Sequence, residues 1–202
     1  MSKYTYFFGG GEAEGGAEMK RILGGKGANL AEMTNLGIPV PPGFTITTEV
    51  CDAYYKNNQR YPKGLFVEVN KNLSVLDELM GAKLGDAVNP LLVSVRSGAA
   101  ASMPGMMDTV LNLGLNPDAV AGLIKKTGNE RFVWDAYRRF IAMFGDIVMG
   151  VKRQAFEEVL DKHKKKARVK TDAELTAEQL KTIDEEFKVI YKKNTKESFP
   201  ND

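Results

Sequence analysis

The chain has 202 residues, 28 of them basic and 26 acidic, and 43% of it is apolar, which is typical of a globular protein with one or two domains. A net charge of +2 gives no reason to expect a nucleic-acid partner. No apolar run reaches the roughly 20 residues of a membrane span, so no membrane partner is predicted. The single cysteine, Cys51, excludes an internal disulfide and favours a reducing, cytoplasmic location.

The first third of the sequence mixes short strands with helices. Alternating aromatic residues over 4–8 predict a strand, and the glycine-rich residues 9–16 are interpreted as a flexible acidic insertion in a hairpin. A helix is predicted from Lys26 to residue 36, and a strand over 44–47 with a helix capped by Thr48 after it. Helical periodicity then extends over residues 65–84.

Three glycines surround a lysine just before the first helical pattern. Gly24 and Gly25 precede Lys26, and Gly27 follows it, so the spacing is not that of a P-loop. Free N–H groups and partial positive charge at a helix start attract anions, and a lysine adds to that attraction. Lys26 is therefore predicted to bind phosphate, with a solvated lysine in a glycine turn as the alternative.

A second candidate site follows the apolar run of residues 91–95, which is predicted to be a buried strand that ends at Arg96. A guanidinium in that position needs an anion, because desolvating it without a partner is costly. The next residues, 97–102, have small side chains, so their amides can approach a polyphosphate. A structural ion pair between Arg96 and a carboxylate is the alternative.

The remainder of the sequence is predicted to be helical after a return strand over 107–113. Asn116 and Gly128 are typical of the two ends of one helix. The next helix spans 130–150, with an apolar stripe assigned to the core, and a capping box at Thr176 opens the last one. The basic run 163–170 is interpreted as a solvated loop or helix end.

Two further predictions concern charged residues of this helical part. His163 is predicted to be a surface group rather than a catalytic one. Arg138 and Arg139 are adjacent on a helix, so they are expected to point in different directions and not to form one site.

Several blocks together resemble the N-terminal nucleotide-binding domain of the pyruvate, phosphate dikinase family. They are residues 24–33, 41–48 and 91–116, with the segments 94–98 and 102–109 the most specific. Phosphoenolpyruvate synthases share the Gly-Gly-Lys and the strand-borne arginine, but an acidic segment usually follows that arginine. The resemblance therefore favours the dikinase.

The resemblance implies an α+β fold, namely part of an ATP-grasp nucleotide-binding domain with an inserted or following all-helical subdomain. We place the α+β lobe with the phosphate-binding loops at residues 1–114 and the helical subdomain at 115–202. The family converts ATP, phosphate and pyruvate to AMP, pyrophosphate and phosphoenolpyruvate, and it passes the β-phosphoryl of ATP to a histidine on a separate domain.

Site residues can be carried over by matching motif. Lys26 and Arg96 would be the catalytic residues that hold the ATP phosphates, and the loop 101–105 would close over them. The complete set expected to contact ATP is Lys26, Arg96, Ser97, Gly98, Ala101, Ser102, Met103, Gly105, Asp108 and Thr109. The Ser97 and Thr109 hydroxyls could instead bond the backbone, Met103 could pack against its own domain, and Asp108 could satisfy local amides.

Other parts of such an enzyme are expected outside this chain. They are the ligands of Mg²⁺, the phosphohistidine domain and the pyruvate-binding domain, while the full-length enzyme is expected to be a homo-oligomer. No metal ligand is predicted among these residues. The chain is thus expected to be an N-terminal fragment that binds ATP phosphates but is inactive alone.

Three other interpretations stay open at this point. The chain could be a fragment of a phosphoenolpyruvate synthase-like dikinase, or a stand-alone nucleotide-binding or regulatory module. It could also be an interaction protein whose helical part docks to a partner.

Overall fold

The computed structural model describes residues 3–98 and 108–201. These residues form two compact units, one of residues 3–81 with 97 and 98, the other of residues 82–96 and 108–201. Strands and helices both occur, which confirms a mixed helix-and-strand fold. The sequence-based division at residue 114 stays a prediction. No helix in the described ranges combines the length and the apolar character that crossing a membrane requires.

The first unit is a small antiparallel sheet with helices. Its elements are β1 (Thr5–Gly9), β2 (Glu12–Ala13), α1 (Lys20–Asn35), β3 (Gly43–Ile46), α2 (Thr48–Lys56) and α3 (Leu65–Met80). The strand order is β2-β1-β3, with Thr5 opposite Ile46 and Phe8 opposite Gly43. Both α1 and α3 pack against β1, so that apolar side chains such as Phe8 and Leu23 are buried.

One glutamate of α3 fastens that helix to the first strand. The Glu68 carboxylate accepts hydrogen bonds from the Tyr4 and Thr5 backbone N–H groups, both at 2.9 Å, and from the Thr5 hydroxyl at 3.0 Å. The Asn72 amide donates to the same hydroxyl at 2.8 Å in a buried position. Bonds to a charged acceptor are stronger than neutral ones, so this contact fixes the helix on the sheet.

Three sequence-based details of this unit are wrong. Residues 9–16 are not only a loop, because β2 pairs with β1 inside them. The N-cap of α2 is Thr47 rather than Thr48, whose hydroxyl donates instead to the Arg21 carbonyl at 2.7 Å. Helix α3 ends at Met80 instead of residue 84, because Gly81 adopts a left-handed conformation with φ 58°.

The second unit combines two strand pairs with four helices. Its elements are β4 (Lys83–Leu84), β5 (Pro90–Leu91), β6 (Val93–Arg96), β7 (Thr109–Leu113), α4 (Pro117–Thr127), α5 (Glu130–Met143), α6 (Arg153–Ala167) and α7 (Ala177–Thr195). Strands β4 and β5 are parallel, while β6 and β7 form an antiparallel hairpin. A π-helical turn, Phe144–Val148, continues α5.

The predicted helix caps of this unit are confirmed. The Asn116 side chain accepts a hydrogen bond from the Ala119 N–H at 2.7 Å, and Gly128 ends α4 with φ 65°. Thr176 and Gln179 form the reciprocal capping box that opens α7. Such signals act within one helical turn, so they can be recognised without knowing the fold.

The core of this unit lies where α5 and α7 pack together. Buried residues from the two helices include Val133, Tyr137, Leu180 and Phe187. Val148 does not belong to the predicted core stripe, because 53% of it is exposed where the π-helical turn ends.

Helix α6 ends at Ala167 with three lysines in its last turn, so the basic run lies at a helix end, which was one of its two interpretations. Only Phe156 and Leu160 are buried on this helix, which gives a weak apolar pattern among many charges. His163, which was predicted to be a surface group, is not fully exposed. Its side chain is 12% exposed, and Nε2 lies 2.8 Å from the Glu186 carboxylate of α7. The pair therefore helps to hold α6 on α7.

Candidate phosphate-binding site

Lys26 lies just after a break in α1. Gly24 has φ 68° and ψ 169°, which is not helical, so the uninterrupted part of the helix begins with Gly25. Amide groups in a first helical turn have no partner within the helix and attract anions. The structure thus gives Lys26 the surroundings that the glycine pattern predicted.

The Lys26 side chain reaches a second predicted site residue. Its Nζ donates a hydrogen bond to the Ser97 carbonyl oxygen at 3.1 Å, in an exposed position of the first unit. These two residues are 71 positions apart in the chain, and Gly98, the next residue, is also exposed. Folding therefore brings Lys26 next to the start of the predicted phosphate loop.

The glycines that flank Lys26 have different roles. A Cβ at Gly27 would lie 2.7 Å from the Thr45 hydroxyl and 2.8 Å from its methyl group, whereas a Cβ at Gly25 would meet no atom within 4 Å. Gly27 is thus required for close packing of α1 on β3. Gly25 has space beside it, where a ligand could approach the backbone.

We expect Gly27→Ala to lower the free energy of unfolding by about 1–3 kcal/mol, because α1 and β3 must separate to admit the methyl group. The matched control, Gly25→Ala, should be neutral or should raise it by up to about 1 kcal/mol through helix propensity. Urea denaturation followed by circular dichroism measures both. Equal losses in the two variants would contradict the assigned packing.

Arg96 ends β6 in the second unit, where it pairs with Thr109 of β7. The prediction that this strand is buried up to the arginine is wrong, since 50% of Val95 is exposed and Arg96 is exposed as well. The reason is that β7, rather than β6, packs against α5. The assignment of Arg96 to phosphate binding stays a prediction.

The other predicted contact residues divide into two groups. Asp108 is exposed, and Thr109 is half-buried at the start of β7. Ala101, Ser102, Met103 and Gly105 lie outside the described residues. Within the described ranges, no three His, Cys, Asp or Glu side chains are grouped so that they could hold a metal ion.

The second unit contains an arginine cluster that the sequence reasoning missed. Arg138 Nη2 lies 2.8 Å from one carboxylate oxygen of Asp135, and Arg139 Nη2 lies 2.7 Å from the other. The expectation that the two arginines do not share a site is wrong, because residues three and four positions away on a helix both reach the same side chain. The signal in the sequence was the acidic residue Asp135, which lies three and four positions before the two arginines. The arginines line a cleft of about 730 Å³.

A lysine in the first turn of a helix, beside a chain segment of small residues, is typical of domains that bind nucleotide phosphates. Residues 20–78 match the family model described as "Pyruvate phosphate dikinase, AMP/ATP-binding domain". The chain belongs to the pyruvate, phosphate dikinase family, which confirms the resemblance found in the sequence.

Individual relatives extend this likeness over the whole chain. It is 54% identical over 200 residues to "Pyruvate, phosphate dikinase, chloroplastic" of Mesembryanthemum crystallinum, covering 99% of the chain and 21% of the relative. It is 51% identical over 203 residues to "Pyruvate, phosphate dikinase" of Clostridium symbiosum, covering 100% of the chain and 23% of the relative. "Pyruvate, phosphate dikinase 2" of Zea mays is 51% identical over 201 residues. The chain thus spans about a fifth of the length of these relatives.

Proposed function

We propose that this chain is the N-terminal part of a pyruvate, phosphate dikinase and that it binds the phosphate groups of ATP. The whole enzyme would convert ATP, phosphate and pyruvate to AMP, pyrophosphate and phosphoenolpyruvate through a phosphohistidine. The observation that carries the proposal is the identity of 51–54% to named dikinases along the whole chain. The contact between Lys26 and Ser97 supports it, because it joins two of the motifs that the resemblance had identified.

Lys26 and Arg96 would act by positioning phosphates and neutralising their charge. Phosphoryl transfer needs little covalent chemistry from the protein, so charge stabilisation and alignment supply most of the catalysis. The ammonium of Lys26 would exchange the Ser97 carbonyl for a phosphate oxygen, a stronger charge-assisted acceptor. Arg96 offers a planar fork of donors that two phosphate oxygens can accept together.

Further parts of the proposal rest on the family resemblance. The remaining contacts would come from Ser97, Gly98, the loop residues Ala101, Ser102, Met103 and Gly105, and from Asp108 and Thr109. The fold would be part of an ATP-grasp domain, with the α+β lobe at 1–114 and the helical subdomain at 115–202. Other domains of a homo-oligomeric enzyme would supply the Mg²⁺ ligands, the phosphohistidine and the pyruvate site. The exposed free thiol of Cys51 supports a cytoplasmic location.

Calorimetric titration of the chain with Mg-ATP tests phosphate binding. We expect Lys26→Ala and Arg96→Ala each to weaken binding about 10- to 150-fold, the loss of a charge-assisted bond of roughly 1.5–3 kcal/mol. Lys63→Ala and Arg60→Ala remove the same charges at other exposed positions and should bind as the parent does.

Circular dichroism first establishes that every variant is folded. If the folded parent does not bind Mg-ATP, phosphate binding by this chain is refuted. If it binds and neither Lys26→Ala nor Arg96→Ala weakens it, the assignment of these two residues is refuted.

A further inference from the structure

Four aromatic rings follow one another along α2 and the start of α3. The ring centroid of Tyr54 lies 5.4 Å from that of Tyr55 and 4.9 Å from that of Tyr61, whose centroid lies 5.3 Å from that of Phe66. We call these four residues the aromatic strip. It is largely outside the core of the first unit, since Tyr55 is 69% exposed, Tyr61 54% and Phe66 58%. Large apolar side chains that are exposed side by side are typical of a surface that meets a partner.

The turn between α2 and α3 holds the aromatic strip in shape. Asn58 and Gln59 both have left-handed backbone, with φ 52° and 59°, a conformation that costs energy for residues other than glycine. The Gln59 N–H donates to the Tyr54 carbonyl at 2.9 Å, and the Arg60 N–H donates to the Asn57 carbonyl at 3.1 Å. The turn thus returns the chain to α2. A surface that already has its binding shape loses little conformational freedom when a partner binds.

The charged side chains around the aromatic strip are all basic. Residues 53–67 contain Lys56, Arg60 and Lys63 and no acidic residue, and all three cations are exposed. Each lies within two positions of a tyrosine of the strip, so its Cα is at most about 7 Å away from that of the tyrosine. The acid that follows this range, Glu68, accepts hydrogen bonds from β1. The strip is thus an apolar surface with a basic rim of three side chains.

The basic rim is a local feature of this unit. Residues 3–81 contain eight basic and nine acidic side chains, so positive charge does not extend over the whole surface. A long polyanion such as nucleic acid, or an anionic membrane, would also meet the surrounding acidic side chains. A second copy placed strip to strip would bring the same cations together, and like charges repel. A short acidic segment would meet opposite charge alone.

We propose that the aromatic strip and its basic rim bind a short acidic protein segment that carries aliphatic side chains. The aliphatic groups pack on the rings, and the carboxylates pair with Lys56, Arg60 and Lys63. The rings supply most of the affinity, because exposed ion pairs contribute little, while the rim selects an acidic partner. The surface does not include Lys26 or Arg96, so a failure of phosphate binding leaves this proposal intact.

Calorimetric titration of the chain with synthetic peptides tests the proposal. The probe is the unlabelled peptide EEDLLEDLEE, for which we expect saturable binding that weakens as salt is added, because salt screens exposed ion pairs. The peptide EEDSSEDSEE lacks the aliphatic side chains, and KKRLLKRLKK reverses the charges. Each of these two should bind at least about tenfold more weakly than the probe.

Two variants of the surface and two controls locate the binding. Phe66→Ser should weaken binding of the acidic probe at least about fivefold, because a large aromatic contact is lost. Arg60→Glu combined with Lys63→Glu should weaken it at least about tenfold and should let KKRLLKRLKK bind instead. Leu36→Ser and Lys71→Glu change exposed residues of the same unit outside the strip and its rim, so they should match the parent.

Circular dichroism establishes that each variant is folded, and the charge reversal, which changes only exposed side chains, serves as the test if Phe66→Ser does not fold. The proposal is overturned if the folded parent shows no saturable binding of EEDLLEDLEE up to about 1 mM, or if either altered peptide binds equally well. It is also overturned if the folded variants bind the probe as the parent does.

Two further results would assign the aromatic strip to another partner and overturn the proposal. Self-association of the parent in sedimentation analysis, abolished by Phe66→Ser, would assign it to a second copy of the chain. Binding to phosphatidylserine vesicles, abolished by the same substitution, would assign it to a membrane surface.

Discussion

Replacing Arg138 by methionine is expected to lower the free energy of unfolding by about 3 kcal/mol. The guanidinium is buried, with 8% of its side chain exposed, and it bonds Asp135 at 2.8 Å and Asp172 at 3.2 Å. Methionine keeps much of the apolar stem but leaves the Asp135 carboxylate, itself 12% exposed, with only one partner. Breaking a buried ion pair from one side costs more than the pair contributes, because a charge stays behind without compensation.

Arg139→Met is the matched control for this effect. Arg139 binds the same carboxylate at 2.7 Å, but 60% of its side chain is exposed. Solvent-exposed ion pairs contribute roughly 0–1 kcal/mol, so a loss of at most about 1 kcal/mol is expected. Urea denaturation followed by the fluorescence of Trp134, the single tryptophan, reports on this unit. Equal losses for the two variants would show that burial does not separate the two arginines.

Asp184→Asn is expected to stabilise the chain increasingly as the pH rises. Asp184 is fully buried in α7, and neither carboxylate oxygen has a hydrogen-bond partner among the described residues. Burial raises its pKa from 3.8 to about 9. The positive charges of Lys188 and Arg138 lower this pKa, and the negative charges of Glu185 and Asp135 raise it. The folded chain therefore keeps this group protonated at neutral pH.

The sign of the pH dependence follows from proton binding. Below about pH 4 the carboxyl is protonated in both states, so it carries no penalty. Between about pH 4 and pH 9 only the unfolded chain releases the proton, and stability falls with rising pH by at most about 1.4 kcal/mol per unit. An asparagine side chain at this position has no proton to release, so the advantage of Asp184→Asn should be small at pH 5 and grow towards pH 8.

Urea denaturation at pH 5, 6, 7 and 8, again through Trp134 fluorescence, measures this advantage. Glu178→Gln is the control, because Glu178 is exposed on the same helix and is not among the charges that act on Asp184. Its effect should vary little with pH. A pH-independent difference between parent and Asp184→Asn would show that the carboxyl is ionised in the folded chain.

Much of the local structure could be predicted from the sequence. The caps at Asn116 and Thr176 bond partners three residues away, and the hairpin around Arg96 follows from two apolar strands in succession. The family was also recognisable from short motifs, since 51–54% identity preserves them. These signals depend on neighbouring residues and on residue type, so they are present before the chain folds.

Tertiary structure decided the contacts that join distant parts of the chain. The bond from Lys26 to Ser97 spans 71 positions, and the pair of His163 and Glu186 spans 23. Burial of Asp184 and exposure of Val95 likewise depend on which helix or strand packs over each residue. Sequence alone thus determined residue chemistry, helix ends and family, because these depend on residue type and on near neighbours in the chain. Partners, burial and pKa depend on packing, because the same side chain meets different surroundings on either face of a helix or strand.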